Sequence, residues 1–420
     1  MRKYNTNPII KLIAVKADCV FETPALIGNG FGEYTDSDIL RDSEDNAFLP
    51  GSTIAGSLLS LSSEFDVFKE QDNISPLWVY DADLASADGK TAKIIELDGV
   101  ALDKLNKVAL DKAKYDYEAI DAGTKFTLRF LLTIREKDKN KSYEGILLKL
   151  MGALKSGETS FGAKTRRGFG RVLCEKPLEK VFDFSNHNKT ALDDWLNFNW
   201  RSGNGWKDAG ARDYSGDYET LTAKFNIDGS LMVRDMRNIF DFDGVSGETP
   251  DYAHISVGGK AAILGTSWAG AFKSGLYRLL IQRSSTKQVD AYLNEVFGHV
   301  TEPQKDKSAI CTTSKVTFGV SYLAKNNAET DGYRTITRVK IDRFTGGSAN
   351  GALFTETPWF GGNATLEVRY PNDREDIREL LLLGFDALSR GLMQIGGETA
   401  AGRGFVKNLV VSDKSGNIET

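Results

Sequence analysis

An acidic loop in the first half of the chain carries the residue types best suited to metal-assisted chemistry on a phosphate. Residues 28–46 read GNGFGEYTDSDILRDSEDN and hold six carboxylates, and a helix is predicted to begin just after them, at Pro50-Gly51-Ser52. A helix N-terminus presents unpaired N–H groups and the positive end of the helix dipole, which favour a phosphate. A neighbouring carboxylate can hold a divalent cation or orient a ribose 2′-hydroxyl. The alternative is a solvated loop without catalytic function.

A glycine-rich phrase at the end of the first half is the second candidate. Residues 161–172 read FGAKTRRGFGRV and place cations at Lys164, Arg166, Arg167 and Arg171. The glycines suit a tight turn, because glycine adopts positive φ without strain. Four cations in eight residues, in a chain of net charge −5, indicate a local surface for a polyanion. Part of the phrase also resembles the strand motif with which RNA-recognition modules stack bases.

Three segments of the chain occur twice, in the same order. The matching pairs are 49–60 with 263–274, 102–104 with 341–343, and 161–172 with 395–406. This pattern indicates a duplication, so the two halves are expected to do related work. The second glycine-rich phrase keeps Arg403 but has Ala400 and Ala401 where the first has Arg166 and Arg167. We therefore expect the first half to bind a polyanion more tightly.

Hydrophobic periodicity predicts the same order of elements in both halves: strand, helix, strand, strand, helix, strand. In the first half these elements fall at 7–21, 50–61, 76–84, 125–134, 144–156 and 170–175; in the second half they fall at 223–233, 267–283, 315–323, 363–370, 375–390 and 405–412. This is the order of a ferredoxin-like (RRM-like) unit. The predicted fold class is therefore α+β, with two tandem ferredoxin-like domains.

The predicted domains are residues 1–178 and 220–420, separated by a connector at 179–219. The connector carries Trp195, Trp200 and Trp206, so we expect it to pack onto a domain or a partner. The stretches 96–118 and 335–356 are polar and are predicted to protrude as insertions, which would be either surface loops or hairpins that reach across a bound strand.

Composition excludes several classes of protein. The chain of 420 residues has no long apolar run and no signal peptide, so we expect a cytoplasmic protein with no membrane partner. Cys19, Cys174 and Cys311 are far apart and odd in number, which argues against a disulfide framework or a zinc site. There is no P-loop. The three histidines lie far apart, which argues against a paired-histidine nuclease.

Together these segments resemble the RAMP superfamily, the repeat-associated proteins of CRISPR systems, and more narrowly the backbone subunits of type III effector complexes. The resemblance rests on the Asp-containing loop before Pro50-Gly51-Ser52, on GVALDK at 99–104 followed by KYDYEAIDAGTKF at 114–126, and on the glycine-rich phrase. It covers about 1–176 and 220–412. It suggests a double, tandem-fused backbone subunit of a III-D-like complex.

The resemblance implies that each half binds a guide crRNA and pushes a thumb hairpin between guide and target. An aspartate before the first helix would then support cleavage of the target RNA, with Mg²⁺ or another divalent cation. In the first half this catalytic and metal-binding residue would be Asp36. In the second half it would be Asp251, which lies at nearly the same distance before its helix, although Asp241 and Asp243 compete for the role.

RNA is expected to contact the two helix N-termini and the two glycine-rich phrases. The predicted RNA-binding residues are Gly51, Ser52, Thr53, Lys164, Arg166, Arg167, Arg171, Gly265, Thr266, Ser267, Lys273 and Arg403. The implied partners are guide crRNA, target RNA and other type III effector subunits. Three alternatives remain: a non-catalytic crRNA-binding scaffold, a stand-alone tandem RNA-recognition protein, and a nuclease that processes guide precursors, for which the histidines offer no evident general base.

Overall fold

A computed structural model of the chain describes residues 7–30, 32, 35–68, 75–85, 89–106, 109–185, 188–212, 214, 216–235, 250–300, 311–326 and 329–418. The fold is mixed α+β. Asp241 and Asp243 lie outside the described residues. Within those residues, no helix has the length and apolar character needed to cross a membrane.

The first half contains most of the elements that its sequence predicts. Its strands are β1 (Ile9–Phe21), β2 (Phe48–Leu49), β3 (Leu77–Val79), β4 (Ala82–Asp83), β5 (Ile94–Leu102), β6 (Ala109–Ile120), β7 (Lys125–Arg135), β8 (Val172–Cys174), β9 (Leu178–Asp183) and β10 (Lys207–Asp208). Its helices are α1 (Gly51–Leu59), α2 (Tyr143–Lys155) and α3 (Lys189–Leu196). The predicted strands at 7–21 and 125–134 and both predicted helices are confirmed.

The first sheet is antiparallel and has the order β10-β9-β1-β7-β3, with β8 also paired to β1. Because side chains alternate along a strand, β1 contributes to two faces. Ile13 and Val15 pack in one core with residues of α1 and α2. Leu12 and Ala14 belong to a second cluster on the opposite face, which we call the outer face.

The connector covers much of this outer face. Its first part is β9, which pairs with β1 and so extends the first sheet. Trp195, Trp200 and Trp206 then pack with Phe182 of β9 and with Phe198 in one aromatic cluster against Leu12 and Ala14. The expectation that these tryptophans pack onto a domain is confirmed, and that domain is the first half.

The second half repeats the arrangement. Its strands are β11 (Tyr218–Asp228), β12 (Ser230–Leu231), β13 (Arg234–Asp235), β14 (Tyr252–His254), β15 (Ser256–Val257), β16 (Lys260–Ile263), β17 (His299–Val300), β18 (Cys311–Thr312), β19 (Thr317–Phe318), β20 (Ser321–Tyr322), β21 (Gly332–Tyr333), β22 (Ile336–Ile341), β23 (Ser348–Thr357), β24 (Trp359–Phe360), β25 (Asn363–Pro371), β26 (Phe405–Asp413) and β27 (Gly416–Ile418). Its helices are α4 (Gly265–Leu280), α5 (Thr286–Phe297) and α6 (Glu375–Ser389). The sheet order is β19-β25-β11-β26-β27. Strand β11 therefore lies between β25 and β26, as β1 lies between β7 and its closing strands.

Both polar insertions form antiparallel hairpins. In the first half β5 pairs with β6, with Asp98 opposite Asp116. In the second half β22 pairs with β23, with Ile336 opposite Glu356. The polar stretches at 96–118 and 335–356 are therefore hairpins and not irregular surface loops, because their backbone groups pair in two-stranded ladders.

The fold joins Cys19 to Cys174 in a disulfide. The two residues are directly opposite each other on β1 and β8. The cysteine spacing argued against a disulfide framework and did not predict this single pair, because β8 returns beside β1 after a long excursion that sequence spacing does not reveal. Cys311 is exposed and unpaired.

The first glycine-rich phrase is a turn that docks on the second half. Gly168 has a φ of 78°, and a Cβ on it would lie 2.6 Å from the Phe318 carbonyl oxygen of β19. A Cβ on Gly265, the first residue of α4, would lie 2.2 Å from the Arg167 carbonyl oxygen. We call this contact the inner joint. Glycine is required on both sides of it, because the two backbones approach too closely for any side chain.

The arginines of the phrase complete the inner joint. Arg166 donates to the Thr317 hydroxyl at 3.2 Å and to the Tyr218 hydroxyl at 2.7 Å. Arg167 donates to the Phe297 carbonyl at 2.8 Å. Arg171 forms ion pairs with Glu22 and with Glu367 of β25. Three of the four cations in the phrase therefore bind protein groups, and these contacts connect the two halves.

The two glycine-rich phrases offer a matched test of the inner joint. Gly402 corresponds to Gly168 and has a φ of 86°, but a Cβ on it would meet nothing within 4 Å. Alanine at either position has left-handed strain of about 1–2 kcal/mol. We expect Gly168→Ala to lower the free energy of unfolding by about 1–3 kcal/mol more than Gly402→Ala, because only Gly168→Ala overpacks an interface. Urea denaturation of both variants measures the difference, and equal losses would contradict the joint.

Candidate functional site

The loop that carries Asp36 is fixed to the hairpin by a reciprocal pair of aspartates. The Asp36 N–H donates to Asp116 Oδ1, and the Asp116 N–H donates to Asp36 Oδ2, both at 2.9 Å. Asp36 is exposed and Asp116 is half-buried. Each carboxylate therefore lies against the backbone N–H of the other aspartate, near the protein surface. Asp116 has no signal in the sequence beyond its charge, because only the folded hairpin brings it to Asp36.

A buried glutamate anchors the same loop to the same strand. Glu118 accepts the Ile39 N–H at 3.0 Å and both terminal nitrogens of Arg41 at 3.0 and 2.9 Å. Its own N–H donates to the Ser37 carbonyl at 3.0 Å. These charge-assisted bonds are the stronger kind of hydrogen bond. They hold the backbone on the C-terminal side of Asp36, so the carboxylate position is set before any ligand binds.

The second half keeps this arrangement with one change. The Asp251 N–H donates to the Thr355 carbonyl at 2.8 Å, and the Thr355 N–H donates to Asp251 Oδ2 at 2.7 Å. Asp251 is exposed, as Asp36 is. Thr355 brings no carboxylate to this contact, so Asp251 supplies its only carboxylate among the described residues. The two predicted catalytic aspartates thus occupy corresponding places with different neighbours.

Arg403 lies in the protein interior, only 2 % exposed. It forms ion pairs with Glu356, which is fully buried, and with Glu398. Arg338 also pairs with Glu356, at 2.8 Å. The prediction that Arg403 binds RNA is therefore corrected, because its guanidinium is part of a buried ion network and does not reach the surface. Breaking such a network leaves an uncompensated buried charge, so its role is structural.

Lys164 lies beneath the first hairpin. Its ammonium is 3.2 Å from the centre of the Tyr117 ring and 4.7 Å from that of Tyr115. Burial lowers the pKa of Lys164 to about 8. Within the described part of the chain its ammonium has no hydrogen-bond partner. The tyrosine faces partly replace the lost hydration by cation–π attraction.

Three cations meet at the seam between the halves, and we call Lys104, Arg167 and Lys273 the seam cations. Lys104, in the turn of the first hairpin, pairs with Asp290 of α5 and lies over the Tyr277 ring of α4. Lys273 donates to the Gly298 carbonyl at 3.0 Å. Burial lowers the pKa of Lys273 to about 8, and repulsion by Lys104 and Arg167 adds to the effect.

The seam cations are therefore incompletely neutralised. Burial also lowers the pKa of Arg167, and one of its terminal nitrogens has no hydrogen-bond partner among the described residues. A nearby anion would relieve this repulsion, since an opposite charge stabilises the protonated form. The seam is consequently the part of the predicted RNA surface where the structure brings cations from both halves together.

The helix N-termini fit a phosphate less well than the sequence suggests. The Gly51 N–H already donates to Asp81 Oδ1 at 2.6 Å, which places a carboxylate at the start of α1. Gly265 is buried in the inner joint. Ser52 is exposed and Thr53 is half-buried. At the start of α4, Thr266 and Ser267 are half-buried. The hydroxyl-bearing residues remain candidates for RNA contact, whereas a phosphate on the Gly51 N–H would displace Asp81.

Phe169 is completely buried in the core between the first hairpin and the second half. The aromatic residue of the RNA-recognition-like motif is thus not available to stack on a base. The short strand β8 follows at the side of β1 and is not a central strand of the sheet. These two observations disfavour a stand-alone RNA-recognition protein.

No group of three or more His, Cys, Asp or Glu side chains in a metal-binding arrangement occurs among the described residues. Mg²⁺ is commonly held by one or two carboxylates, with substrate phosphates and water as the other ligands. Asp36 and Asp116 together fit that donor set. Asp251 offers one carboxylate, which fits it less well.

His254, three residues after Asp251, is fully buried, and its Nδ1 accepts the Val233 N–H at 3.0 Å. Burial lowers its pKa to about 3. In the unfolded chain the pKa is near 6.5, so the unfolded state binds more protons below that pH. This linkage makes stability fall as the pH drops from about 6.5 towards 3. His254 is thus kept neutral as part of the core beneath the second loop.

This linkage can be measured with a non-titrating replacement. From pH 7.5 to 5 the wild-type protein should lose about 2 kcal/mol of stability through His254. His254→Asn keeps an acceptor for the Val233 N–H but does not titrate, so that loss should disappear. Urea denaturation of both proteins at the two pH values tests this expectation. An unchanged pH dependence in the variant would show that His254 is not the group responsible.

The model of the RAMP superfamily matches residues 18–173 and 245–407. One match falls in each half. The first includes Asp36 and the first glycine-rich phrase, and the second includes Asp251, near its start, and the second glycine-rich phrase. No curated protein matches the chain.

Proposed function

The chain belongs to the RAMP superfamily of CRISPR-associated RNA-binding subunits, and we propose that it is a tandem-fused double backbone subunit of a type III effector complex. In this proposal each half is a ferredoxin-like domain with its hairpin as a thumb. The repeated sheet order, with the opening strand between the third and closing strands, supports the assignment. The chain would bind guide crRNA alongside other subunits of the complex.

We further propose that the first half cleaves target RNA. The observation that carries this proposal is the reciprocal Asp36–Asp116 pair, which holds two carboxylates at the base of a hairpin. A divalent cation held by Asp36 and Asp116 would stabilise charge that develops on the phosphate. The hairpin would hold the target strand out of helical geometry, so that a 2′-hydroxyl aligns with the adjacent phosphate. Glu118 acts as a positioning residue for the loop.

The second half is proposed to be chiefly a scaffold, with weaker or no cleavage. Thr355 replaces the second carboxylate at the Asp251 contact. Arg338 and Arg403 neutralise the neighbouring Glu356 in the interior. An exposed Asp251 whose described contact partner, Thr355, carries no carboxylate would bind a cation less tightly, since affinity rises with the number of charged ligands.

Cleavage can be tested in an effector complex reconstituted with guide, target RNA and Mg²⁺. We expect Asp36→Asn to abolish one product of the cleavage ladder. Asp116→Asn should slow the same cut about 10–100-fold, and this loss should be partly reversed by more Mg²⁺. Asp251→Asn should change the ladder less.

Asp45→Asn is the matched control, since its exposed carboxylate lies in the same loop but pairs with Arg41 of that loop and not with the hairpin. The control should cleave normally. If Asp36→Asn and Asp116→Asn both leave the ladder unchanged while guide binding is intact, the chain is a non-catalytic scaffold.

RNA binding at the seam makes a prediction about pH. A phosphate beside Lys273 would raise its pKa from about 8, so binding takes up a proton near pH 8–9. Guide affinity should therefore fall as the pH rises from 7.5 to 9.

Two variants test whether Lys273 causes this fall. Lys273→Arg keeps the charge without titrating and should weaken the pH dependence. Lys273→Gln should lower the affinity at all pH values and reduce the dependence of affinity on salt concentration. Fluorescence anisotropy with labelled guide measures all three. If wild type and Lys273→Arg show identical pH profiles, Lys273 does not contact the bound RNA.

A further inference from the structure

A cavity of about 430 Å³ opens on the outer face of the first sheet, beside the aromatic cluster of the connector. Leu12, Trp78, Leu131 and Trp195 form the apolar part of its lining, and the charged residues Arg135, Lys137, Asp138 and Lys141 also line it. Trp78 lies on the edge strand β3 and is 55 % exposed, so it leaves a large apolar surface open to solvent. The proposed RNA cleavage uses neither the cavity nor these residues.

The register of the two sheets identifies the corresponding site in the second half. A Cβ on Gly51 would lie 2.4 Å from the Val79 carbonyl oxygen, and a Cβ on Gly265 would lie 2.2 Å from the Phe318 carbonyl oxygen. Val79 and Phe318 therefore correspond. Strand pairing from these two residues matches the cavity residues Leu12, Trp78 and Leu131 with Tyr218, Thr317 and Arg369 respectively.

Those three residues of the second half are the ones that the first half covers at the inner joint. Arg166 donates to both Tyr218 and Thr317. Arg369 donates to the Glu158 carbonyl at 3.0 Å. The second half thus has a docking site, which we call a socket, that the first half fills at the inner joint. The cavity lies at the corresponding position on the first half and is open. The socket has changed from polar residues to apolar ones.

A second copy of this chain would not fill the open socket. The residue of the second glycine-rich phrase that corresponds to Arg166 is Ala400, whose methyl group would occupy only a small part of about 430 Å³. Unfilled apolar space forfeits dispersion contacts and makes an interface weak. Ala401 also lacks the donor that Arg167 supplies at the inner joint. Complementarity at this socket therefore requires a bulky apolar side chain.

We propose that the cavity is the docking socket for a different protein chain, which inserts a large apolar side chain from a glycine-rich turn. That chain would dock on the first half as the first half docks on the second. The inference rests on the proposed assembly role and not on RNA cleavage. An apolar anchor that fills a pocket is the usual centre of a protein interface.

A gain-of-function variant of the full chain tests the socket without RNA or other subunits. The wild-type chain should sediment as a single chain. Ala400→Phe supplies the missing apolar side chain on the second glycine-rich phrase, so this variant should associate head to tail, at least tenfold more tightly than wild type. Adding Trp78→Thr, which copies Thr317, should abolish the association. Sedimentation velocity over a range of concentrations measures each protein.

Two control variants distinguish association through the socket from non-specific hydrophobic association. Ala400→Arg should remain a single chain, because its positive charge would be repelled by Arg135, Lys137 and Lys141 in the cavity lining. Ser415→Phe, which places the same ring in an exposed turn, should also remain a single chain. The proposal is overturned if Ala400→Phe stays monomeric, or if its association survives Trp78→Thr. It is also overturned if wild type self-associates through Trp78, since a second copy would then suffice.

An RNA base is the remaining occupant to exclude. If Trp78→Thr lowers the affinity of the isolated chain for labelled guide RNA tenfold, the cavity stacks a base and the protein-docking proposal fails. An unchanged affinity, together with association of Ala400→Phe through Trp78, supports it. Neither result depends on whether Asp36 cleaves RNA, so failure of the socket and failure of the catalytic proposal remain distinguishable.

Discussion

The inner joint is the contact on which the rest of the structure depends. At Gly168 the backbone of the first half approaches the Phe318 carbonyl so closely that no side chain fits between them. This approach brings the first hairpin over the second half, where Lys104 reaches Asp290. It also places Arg167 near Lys273. The cluster of seam cations is thus a consequence of how two backbones pack, and it exists in neither half alone.

The same contact explains why the two glycine-rich phrases differ in charge. Charge and position alone predict that Arg166 and Arg171 bind a polyanion, and they do bind oxygen atoms, but those atoms belong to Tyr218, Thr317 and Glu367. On the second phrase, a Cβ on Gly402 would meet no described residue within 4 Å, whereas a Cβ on Gly168 would meet the Phe318 carbonyl. The change to Ala400 and Ala401 therefore follows this difference in protein contacts and says little about how tightly either half holds RNA.

Local sequence patterns predicted the main helices and strands, whereas the contacts between distant segments could be seen only in the fold. Alternation along 7–21 and 125–134 predicted the two central strands of the first sheet, and the repeated glycines predicted turns with positive φ. In contrast, the Cys19–Cys174 bond, the burial of Arg403 and the place of Asp116 beside Asp36 all depend on strands that meet after long excursions. No spacing rule within one segment contains that information.

A buried glutamate on the hairpin strand is common to both halves, but the partner that neutralises it is not. Glu118 pairs with Arg41 from the acidic loop, so the hairpin directly holds the segment that carries Asp36. Glu356 pairs with Arg403 from the glycine-rich phrase, so the corresponding bond in the second half ties the hairpin to the closing turn instead. Preorganisation of a catalytic carboxylate requires that its own loop be fixed. Among the described residues, the buried charge is therefore kept in both halves but is paired with the proposed cleavage loop only in the first half.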